Sequence, residues 1–386
     1  METGKLYEIL NNLLILKVNN LSNSQDYKLL LEIVFLFNNK VSEHFSRKTI
    51  TKYIEEQLNN QKIKEQLFDE SINNSFFERF EKQEPFDRFI VAPISGIILE
   101  KKDKISISNF EIGRRSQLKN NILLFPENKN HVHKYYISVK ISKIYDENIA
   151  IEKAKNMFFD FIRLISFISG NPNRNIQIKT EMPDYELFPN GSFYIETTYY
   201  SSLIEMKEQI TSMSIENRLC QAIPLDNEFF YNNEDFKKLW ILYKDYKSEK
   251  EISDLELRIL NASIAIGESL LNKNNLDSTL YASIALERLF TFSDKNIKKT
   301  LAFLCASIVS KEKEAFLKAE DITKTFYNLR SKIVHGGNYD NIKNDYIIII
   351  MYVRMIVKEL LNNTKYENIK NTKELFDFFK SQNPKI

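Results

Sequence analysis

The chain has 386 residues, of which 43% are hydrophobic and 27% are charged, and its formal net charge is +2. This composition is that of an ordinary globular protein, and the length favours two or three domains that each bury a core. The near-neutral charge excludes a general nucleic-acid coat protein, which would be far more basic, but it leaves room for a local basic site.

The cysteines and the hydropathy pattern indicate in which cellular compartment the protein is expected. The two cysteines, Cys220 and Cys305, stand alone, so a reducing cytoplasm is the default expectation. The first residues include acidic side chains and show no cleavage pattern, so no signal peptide is expected. The most apolar run, Tyr346 to Val353, ends at Arg354. A membrane span needs ~20 apolar residues, so no membrane segment is expected.

Helical periodicity dominates residues 1–82. Apolar residues recur in two runs, Leu6 to Leu16 and Tyr27 to Phe37, and Asn-Asn pairs punctuate the runs as turns. From about Pro85 the pattern changes to alternation, which predicts strands. The predicted strands are 88–100, 104–112, 134–143, 175–180 and 192–199. A helix over 148–169, ending at Gly170-Asn-Pro, is expected to pack on this antiparallel or mixed sheet.

A connector over 206–250 follows the predicted sheet. One helix is predicted near 203–214, and the only tryptophan, Trp240, stands in the apolar run Asp235 to Tyr243. We interpret Trp240 as a docking residue between two layers, and a base-stacking platform is the alternative.

The last segment, 251–386, reads as an all-α bundle. Ser253-Asp-Leu-Glu256 is a capping box that opens the first helix. Five helices are predicted, over 255–271, 277–290, 297–310, 321–334 and 342–361. The second is expected to be central and buried, and the fifth to be packed on both sides. The fold class expected is therefore an α+β N-terminal region followed by a helical bundle, in four segments: 1–82, 83–205, 206–250 and 251–386.

The stretch from Phe326 to Gly337 contains the strongest candidates for catalytic residues. It contains one of four histidines, His335, five residues after Arg330. A histidine moves protons near neutrality, and a guanidinium holds phosphate oxygens in a fixed fork. On an ideal helix a five-residue step rotates ~140°, which separates the two side chains. They could converge if the helix ends at Val334–His335 before the Gly336-Gly337 pair, or across a two-fold axis with a second copy.

A purely structural interpretation of the same residues stays open. Arg330 would be a salt bridge within the bundle, and His335 would cap the C-terminus of its helix. Glu287 shares an apolar stripe with Leu280 and Ile284, so we expect it to be buried and paired with Arg330. That pair could hold helices together, serve a reaction, or do both.

Two segments resemble the HEPN domain of the ApeA-like group. These are Ala285-Leu-Glu-Arg-Leu289 and Asp321 to Gly337. The shared signature is "YxxRSxIVHG", here Tyr327, Arg330, Ser331, Ile333, Val334, His335 and Gly336. The resemblance covers roughly residues 250–362, under a third of the chain.

This resemblance implies a metal-independent endoribonuclease without a cofactor. In such domains a two-fold dimer joins two motifs in one composite cleft, where the RNA 2′-hydroxyl attacks the adjacent phosphorus. By the match, His335 would be the acid–base group and Arg330 would hold the scissile phosphate. Glu287, Ser331, Tyr327 and Asn328 would support them; many relatives carry Asn, Asp or His where this chain has Ser331.

Basic residues near the motif are candidate RNA contacts. They are Lys295, Lys298 and Lys299 before the third helix and Lys332 inside the motif, with Arg354 on the last helix. A cluster of Arg114, Arg115 and Lys119 lies in the β region. Each of these is equally well an ordinary surface cation. His131 and His133 have a spacing seen in metal sites but no accompanying ligand cluster, so we expect surface positions.

The function expected is that of a regulated toxin or antiviral defence effector that cleaves RNA, with tRNA as one candidate. It would act as a homodimer, with the N-terminal region sensing a phage or host protein. The alternative is a non-catalytic HEPN module for dimerisation and for binding RNA or a partner. Nucleotide hydrolysis and serine or zinc hydrolysis have no motif support, because the chain lacks GxxxxGK[ST], GxGxxG, HExxH and GxSxG patterns.

Overall fold

The structure is a computed structural model that describes residues 6–117, 135–169, 179–180, 223–226, 234–272, 274–336 and 345–382. The chain divides into two compact units, Met1–Ile90 with Val139–Asn156 and Val91–Ser138 with Met157–Ile386. No helix among these described residues is long and apolar enough to cross a membrane. The four predicted segments stay a prediction.

The first unit begins with six helices, as the helical periodicity of residues 1–82 predicts. They are α1 Leu6–Val18, α2 Gln25–Phe37, α3 Asn39–His44, α4 Arg47–Lys64, α5 Ile72–Ser75 and α6 Glu78–Glu81. Leu6, Leu10 and Leu13 of α1 are fully buried with Ile50 and Ile54 of α4. Their spacing of three or four residues puts the apolar side chains of each helix on the face that packs.

One buried carboxylate ties two helix starts together within the first unit. Asp146 is 4% exposed, and it accepts the backbone N–H of Ser46 at 2.6 Å and that of Asn148 at 2.8 Å. Ser46 is the N-cap of α4, and Asn148 lies at the start of α7, Glu147–Ser169. These donors satisfy a charge that burial would otherwise penalise.

The main sheet is antiparallel, which confirms the predicted α+β character of the N-terminal region. The strands are β1 Phe86–Ser95, β2 Ile97–Ile98, β3 Lys104–Ile107, β4 Phe110–Arg114, β5 Tyr135–Ile144, β6 Lys179–Thr180 and β7 Ile223–Pro224. The main sheet has the order β3-β4-β5-β1-β6, and β2 pairs with β7 in parallel. Both β3 with β4 and β1 with β6 are antiparallel.

The prediction of one strand over 104–112 was wrong, because the segment is a hairpin. Ile107 pairs with Phe110 across a two-residue turn in which Ser108 has φ +54°. Across the turn the buried positions step by three residues rather than two, from Ile107 to Phe110, and the paired residues Ile105, Ile107, Phe110 and Ile112 lie on one face of the hairpin. One continuous strand would put Ile105 and Ile107 on the face opposite Phe110 and Ile112, so the break in the alternation is itself the signal of the hairpin.

Aromatic side chains join α7 to α8, Glu234–Lys247, within the second unit. The Trp240 ring lies 5.7 Å from that of Phe161, and Trp240 is 8% exposed. The Phe110 ring lies 4.9 Å from Phe161 and 5.8 Å from Tyr243. Trp240 is thus a packing residue between α8 and α7, as the docking interpretation expects.

The described C-terminal residues are mostly helical. The helices are α9 Asp254–Leu271, α10 Asn275–Phe290, α11 Ile297–Val309, α12 Lys313–Val334, α13 Asp345–Asn362 and α14 Thr372–Gln382. The capping box of Ser253 and Glu256 is present at the start of α9. The helix α10 packs against α9, α11, α12 and α13, which agrees with the expected central position.

Three expectations for this region were wrong. The helix α12 begins at Lys313, eight residues before the predicted start, because Lys313 to Glu320 consists largely of strong helix formers. The sixth helix, α14, was not predicted, although Leu375 and Phe379 are buried at a spacing of four. One face of α13 is exposed rather than packed on both sides: Met351 is 56% exposed and Met355 is 50% exposed.

The helix α9 crosses α7 at very close range. A Cβ built on Gly267 would lie 1.9 Å from the carbonyl oxygen of Arg163. Only a glycine permits this approach of two backbones. An ion pair between Arg163 and Glu268 spans the same crossing. The C-terminal part of α7 therefore packs directly against the helical bundle within the second unit.

Several predicted features lie outside the described residues. They are the strand 192–199, the helix 203–214, most of the strand 175–180, His131, His133, Lys119, Cys220 and Gly337.

Candidate functional site

A cavity of about 410 Å³ opens among the helices of the bundle. Its walls come from α9, α10, the start of α11, and α12. Its lining residues are Arg258, Ile284, Glu287, Arg288, Thr291, Ile297, Tyr327 and Arg330. Three guanidinium groups and one carboxylate line the cavity, together with apolar and aromatic side chains.

Two of the predicted site residues on helix α12 line the cavity. Tyr327 and Arg330 are three residues apart, so they lie on one face of the helix. Phe326 and Ile333 are 2% and 6% exposed and anchor α12 in the core. The same apolar periodicity that predicts the helix therefore fixes which side chains reach the cavity.

Arg330 and Glu287 form the predicted ion pair. Arg330 Nε lies 3.3 Å from Glu287 Oε1, and Arg330 Nη2 lies 3.3 Å from Glu287 Oε2. This is the parallel fork in which a guanidinium also binds a phosphate. The side chains are 27% and 24% exposed, so the expectation that Glu287 is buried was wrong: the carboxylate lines an open cavity.

Arg258 has two of its three guanidinium nitrogens bound to the protein. Its Nε contacts Asp254 Oδ2 at 2.7 Å, and its Nη1 donates to the carbonyl oxygens of Arg288 at 3.0 Å and Thr291 at 2.8 Å. Those carbonyls belong to the C-terminal end of α10, where a cation offsets unpaired acceptors and the helix dipole. Arg258 is therefore a structural cap at the rim of the cavity.

Arg288 is engaged much less. It is exposed, and its Nη1 lies 3.3 Å from the carbonyl oxygen of Asn261. No carboxylate within the described ranges pairs with it. Nearby, Thr291 Oγ1 is shielded from solvent and has no hydrogen-bond partner among those residues.

His335 ends α12 but does not line the cavity. The last helical residue is Val334, the His335 N–H donates to the Ser331 carbonyl at 3.1 Å, and Gly336 has φ +74°. This confirms the predicted helix end and left-handed glycine. The His335 side chain is exposed and has no polar partner among the described residues. One chain alone therefore does not bring Arg330 and His335 together in the cavity.

Of the remaining predicted site residues, some form hydrogen bonds within the bundle and the others are exposed to solvent. Lys298 Nζ lies 3.2 Å from Asn328 Oδ1, which links α11 to α12. Ser331 is half-buried, and its carbonyl accepts from His335. Lys295, Lys299 and Lys332 are exposed. None of these side chains lines the cavity.

Arg354 has a packing role rather than an exposed one. Its Nη2 donates to the Ile168 carbonyl at 2.8 Å, and its guanidinium lies 5.8 Å from the Phe236 ring centroid. Burial lowers the pKa of Arg354. Arg114 likewise contacts Asp103 and the Leu99 carbonyl. Both arginines satisfy backbone or carboxylate groups of their own unit.

Sequence reasoning did not single out Arg258 and Arg288 as cavity residues. Arg258 follows Asp254 by four residues, a spacing typical of a surface ion pair. Arg288 stands next to Glu287 on α10, and only the packing of the neighbouring helices shows that both residues line one cavity. Within the described residues, no group of three or more His, Cys, Asp or Glu side chains is placed to hold a metal ion.

Comparison of the chain with protein-family models, with curated proteins and with solved structures gave no match in any of the three.

Proposed function

We propose that this protein is a metal-independent endoribonuclease of the HEPN type. The observation that carries the proposal is the arrangement on α12. Arg330 faces an open cavity, and His335 is exposed at the end of the same helix, with no polar partner in the described part of the chain. Both stand in the "YxxRSxIVHG" context, whose resemblance to ApeA-like HEPN domains supports the assignment of roles.

Arg330 has a donor available for a phosphate. Glu287 takes Nε and Nη2, and Nη1 has no partner among the described residues. Glu287 would hold the guanidinium plane in place while Nη1 contacts an oxygen of the scissile phosphate. The cation would also stabilise the negative charge that grows on phosphorus-bound oxygens during attack.

His335 would perform the proton transfers. As the 2′-oxygen attacks phosphorus, a base takes the 2′-hydroxyl proton, the 2′-O–P bond forms and the P–O5′ bond breaks. An acid gives a proton to the departing 5′-oxygen. The products are a 2′,3′-cyclic phosphate and a 5′-hydroxyl, and the two proton transfers balance.

The proposal includes a homodimer, because one chain keeps His335 away from the cavity. A two-fold axis would place the helix ends of two copies together, so that one imidazole is the base and the other is the acid. The N-terminal helices and sheet would sense a trigger, such as a phage or host protein, and the protein would act in the cytoplasm as a regulated toxin or defence effector.

The test is RNA cleavage by the purified full chain in the presence of EDTA. We expect cleavage to persist, and mass spectrometry of the products to find 2′,3′-cyclic phosphate and 5′-hydroxyl ends. Strong inhibition by EDTA, or 5′-phosphate products, would contradict the proposal and indicate a metal-dependent nuclease.

A second candidate is a non-catalytic module for dimerisation and for binding RNA or a partner. It is favoured by the position of His335 outside the cavity and by the engagement of Arg330 with Glu287. Binding of RNA in gel shifts across several RNAs, tRNA included, with intact RNA recovered afterwards, would support it over the nuclease.

A further inference from the structure

Among the described residues, one guanidinium of the cavity, that of Arg288, is not neutralised by an ion pair. Arg330 is paired with Glu287, and Arg258 is paired with Asp254. Arg288 remains, with a single contact of 3.3 Å to a backbone carbonyl and no carboxylate partner among the described residues. The cavity wall therefore carries a net positive charge centred on Arg288, which attracts an anion.

Thr291 adds a hydroxyl beside that charge. It follows Arg288 by three residues, at the end of α10, and both side chains line the cavity. Its Oγ1 is shielded from water and lacks a partner in the described part of the chain, which costs free energy for a polar group. A rotation of the Thr291 side chain would turn this hydroxyl into the cavity, where an anion with several acceptor oxygens, such as a phosphate, could accept from both the guanidinium and the hydroxyl.

The other lining residues suit a nucleobase. Ile284 and Ile297 supply apolar surface, and the half-buried Tyr327 supplies an aromatic ring. Bases stack on aromatic side chains in single-stranded nucleic-acid sites. A volume of about 410 Å³ lies within the range of small-molecule sites.

We infer that this cavity is a nucleotide subsite, which binds the RNA nucleotide next to the scissile phosphate. Its phosphate contacts Arg288 and Thr291, and its base packs on Tyr327. The identity of the ligand as RNA rests on the proposed function, whereas binding itself needs no cleavage. Arg288 and Thr291 are thus substrate-binding residues.

The experiment measures fluorescence anisotropy of a fluorescein-labelled 2′-O-methyl RNA oligonucleotide, which lacks the attacking hydroxyl and stays intact. The full-length wild type is compared with Arg288→Gln and with Arg47→Gln. The control removes the same group from an exposed ion pair of the first unit and changes net charge equally. We expect Arg288→Gln to raise the Kd about tenfold or more, because a charge-assisted hydrogen bond is lost. The Kd of Arg47→Gln should stay within about twofold of the wild-type value.

A second pair of variants tests the base contact. Tyr327→Phe keeps the ring and should bind within about twofold of the wild type, whereas Tyr327→Leu removes stacking and should weaken binding about fivefold or more. Thermal unfolding confirms that each variant is folded. Equal affinities of the Phe and Leu variants would contradict the base contact.

The outcomes separate this inference from the proposed nuclease. Equal affinity of Arg288→Gln and Arg47→Gln overturns the subsite, even if His335-dependent cleavage supports the nuclease. Arg288-dependent binding without cleavage by the wild type supports the subsite and contradicts the nuclease. Arg288-dependent binding of AMP, used as competitor, without any binding of the oligonucleotide overturns the assignment to RNA and identifies a free mononucleotide instead.

Discussion

At the residue scale, the forked contact of Arg330 with Glu287 has two consequences. It holds a long, flexible side chain in one position at the cavity wall. It also occupies Nε and Nη2, two of the three nitrogens with which Arg330 could bind a phosphate. Because both groups are about one-quarter exposed, solvent screens their attraction. The pair is therefore better suited to positioning than to holding the bundle together.

A double-mutant cycle with Glu287→Ala and Arg330→Ala measures this coupling. We expect a coupling free energy of about 1 kcal/mol or less from urea unfolding, as for other partly exposed ion pairs. The matched control is the more exposed pair of Arg47 and Glu32, which should couple more weakly. A coupling of several kcal/mol would instead indicate a structural salt bridge and favour the non-catalytic interpretation.

The roles of some site residues could be predicted from the sequence, and those of others could not. The pairing of Glu287 with Arg330 was predictable, because a carboxylate on an apolar stripe needs a counter-ion. The exposure of Glu287 was not, since it depends on a cavity whose walls come from four helices. Arg258 has the spacing of a surface ion pair and Arg288 simply adjoins Glu287, and only the packing of α9 against α10 shows that both arginines line the cavity.

At the element scale, the crossing of α7 and α9 depends on Gly267. A methyl group there would meet the Arg163 carbonyl at 1.9 Å, and backbone atoms cannot move aside cheaply. Gly267→Ala should therefore lower the free energy of unfolding by about 3 kcal/mol or more, which thermal and urea unfolding would measure.

Gly336→Ala is the matched control for Gly267→Ala. No atom lies within 4 Å of its built Cβ, but its φ of +74° disfavours alanine, so a loss of about 1 kcal/mol is expected. Equal destabilisation by the two variants would contradict the close crossing of α7 and α9.

Asp226 fixes the connection between β2 and β3. It is 5% exposed, and its carboxylate accepts the backbone N–H groups of Glu100, Lys101 and Lys102 at 2.9, 2.5 and 2.8 Å. Burial alone would raise the pKa of Asp226, but these donors hold it below the usual value. The stability it contributes is therefore present above about pH 4 and is lost as the pH falls through the lowered pKa.

Asp226→Asn should lower the free energy of unfolding by about 2 kcal/mol at pH 7, since hydrogen bonds to a charged acceptor are lost. Between about pH 5 and pH 3 the wild type should lose stability more steeply than this variant, so that the two curves approach each other. Asp294→Asn, at an exposed position before α11, is the control. Parallel curves for wild type and Asp226→Asn would contradict the role of the charge.

Element boundaries followed the sequence wherever a local signal existed. The capping box at Ser253 and the glycine after His335 placed the start of α9 and the end of α12 correctly. The hairpin of β3 and β4 was missed because Ser108-Asn109 is a weak turn signal, although the three-residue step from Ile107 to Phe110 breaks the alternation there. The start of α12 was missed because Lys313 to Glu320 lacks a clear apolar stripe.

At the scale of the whole molecule, an N-terminal antiparallel sheet with helices precedes a mostly helical C-terminal region, as the switch of hydrophobic period predicts. The packing partners of each helix were not predictable, because many arrangements bury the same apolar faces. The homodimer stays a prediction. A solution mass twice that of the 45.6-kDa chain would support it.

The most direct test of the proposed nuclease is RNA cleavage by His335→Ala. The matched control is His44→Ala, which removes another exposed histidine at the end of a helix, α3. If His335 transfers protons in a composite site, cleavage by His335→Ala should fall by at least about 100-fold while its unfolding temperature and solution mass equal those of the wild type. His44→Ala should cleave at the wild-type rate. Cleavage by His335→Ala at the wild-type rate would contradict the assignment.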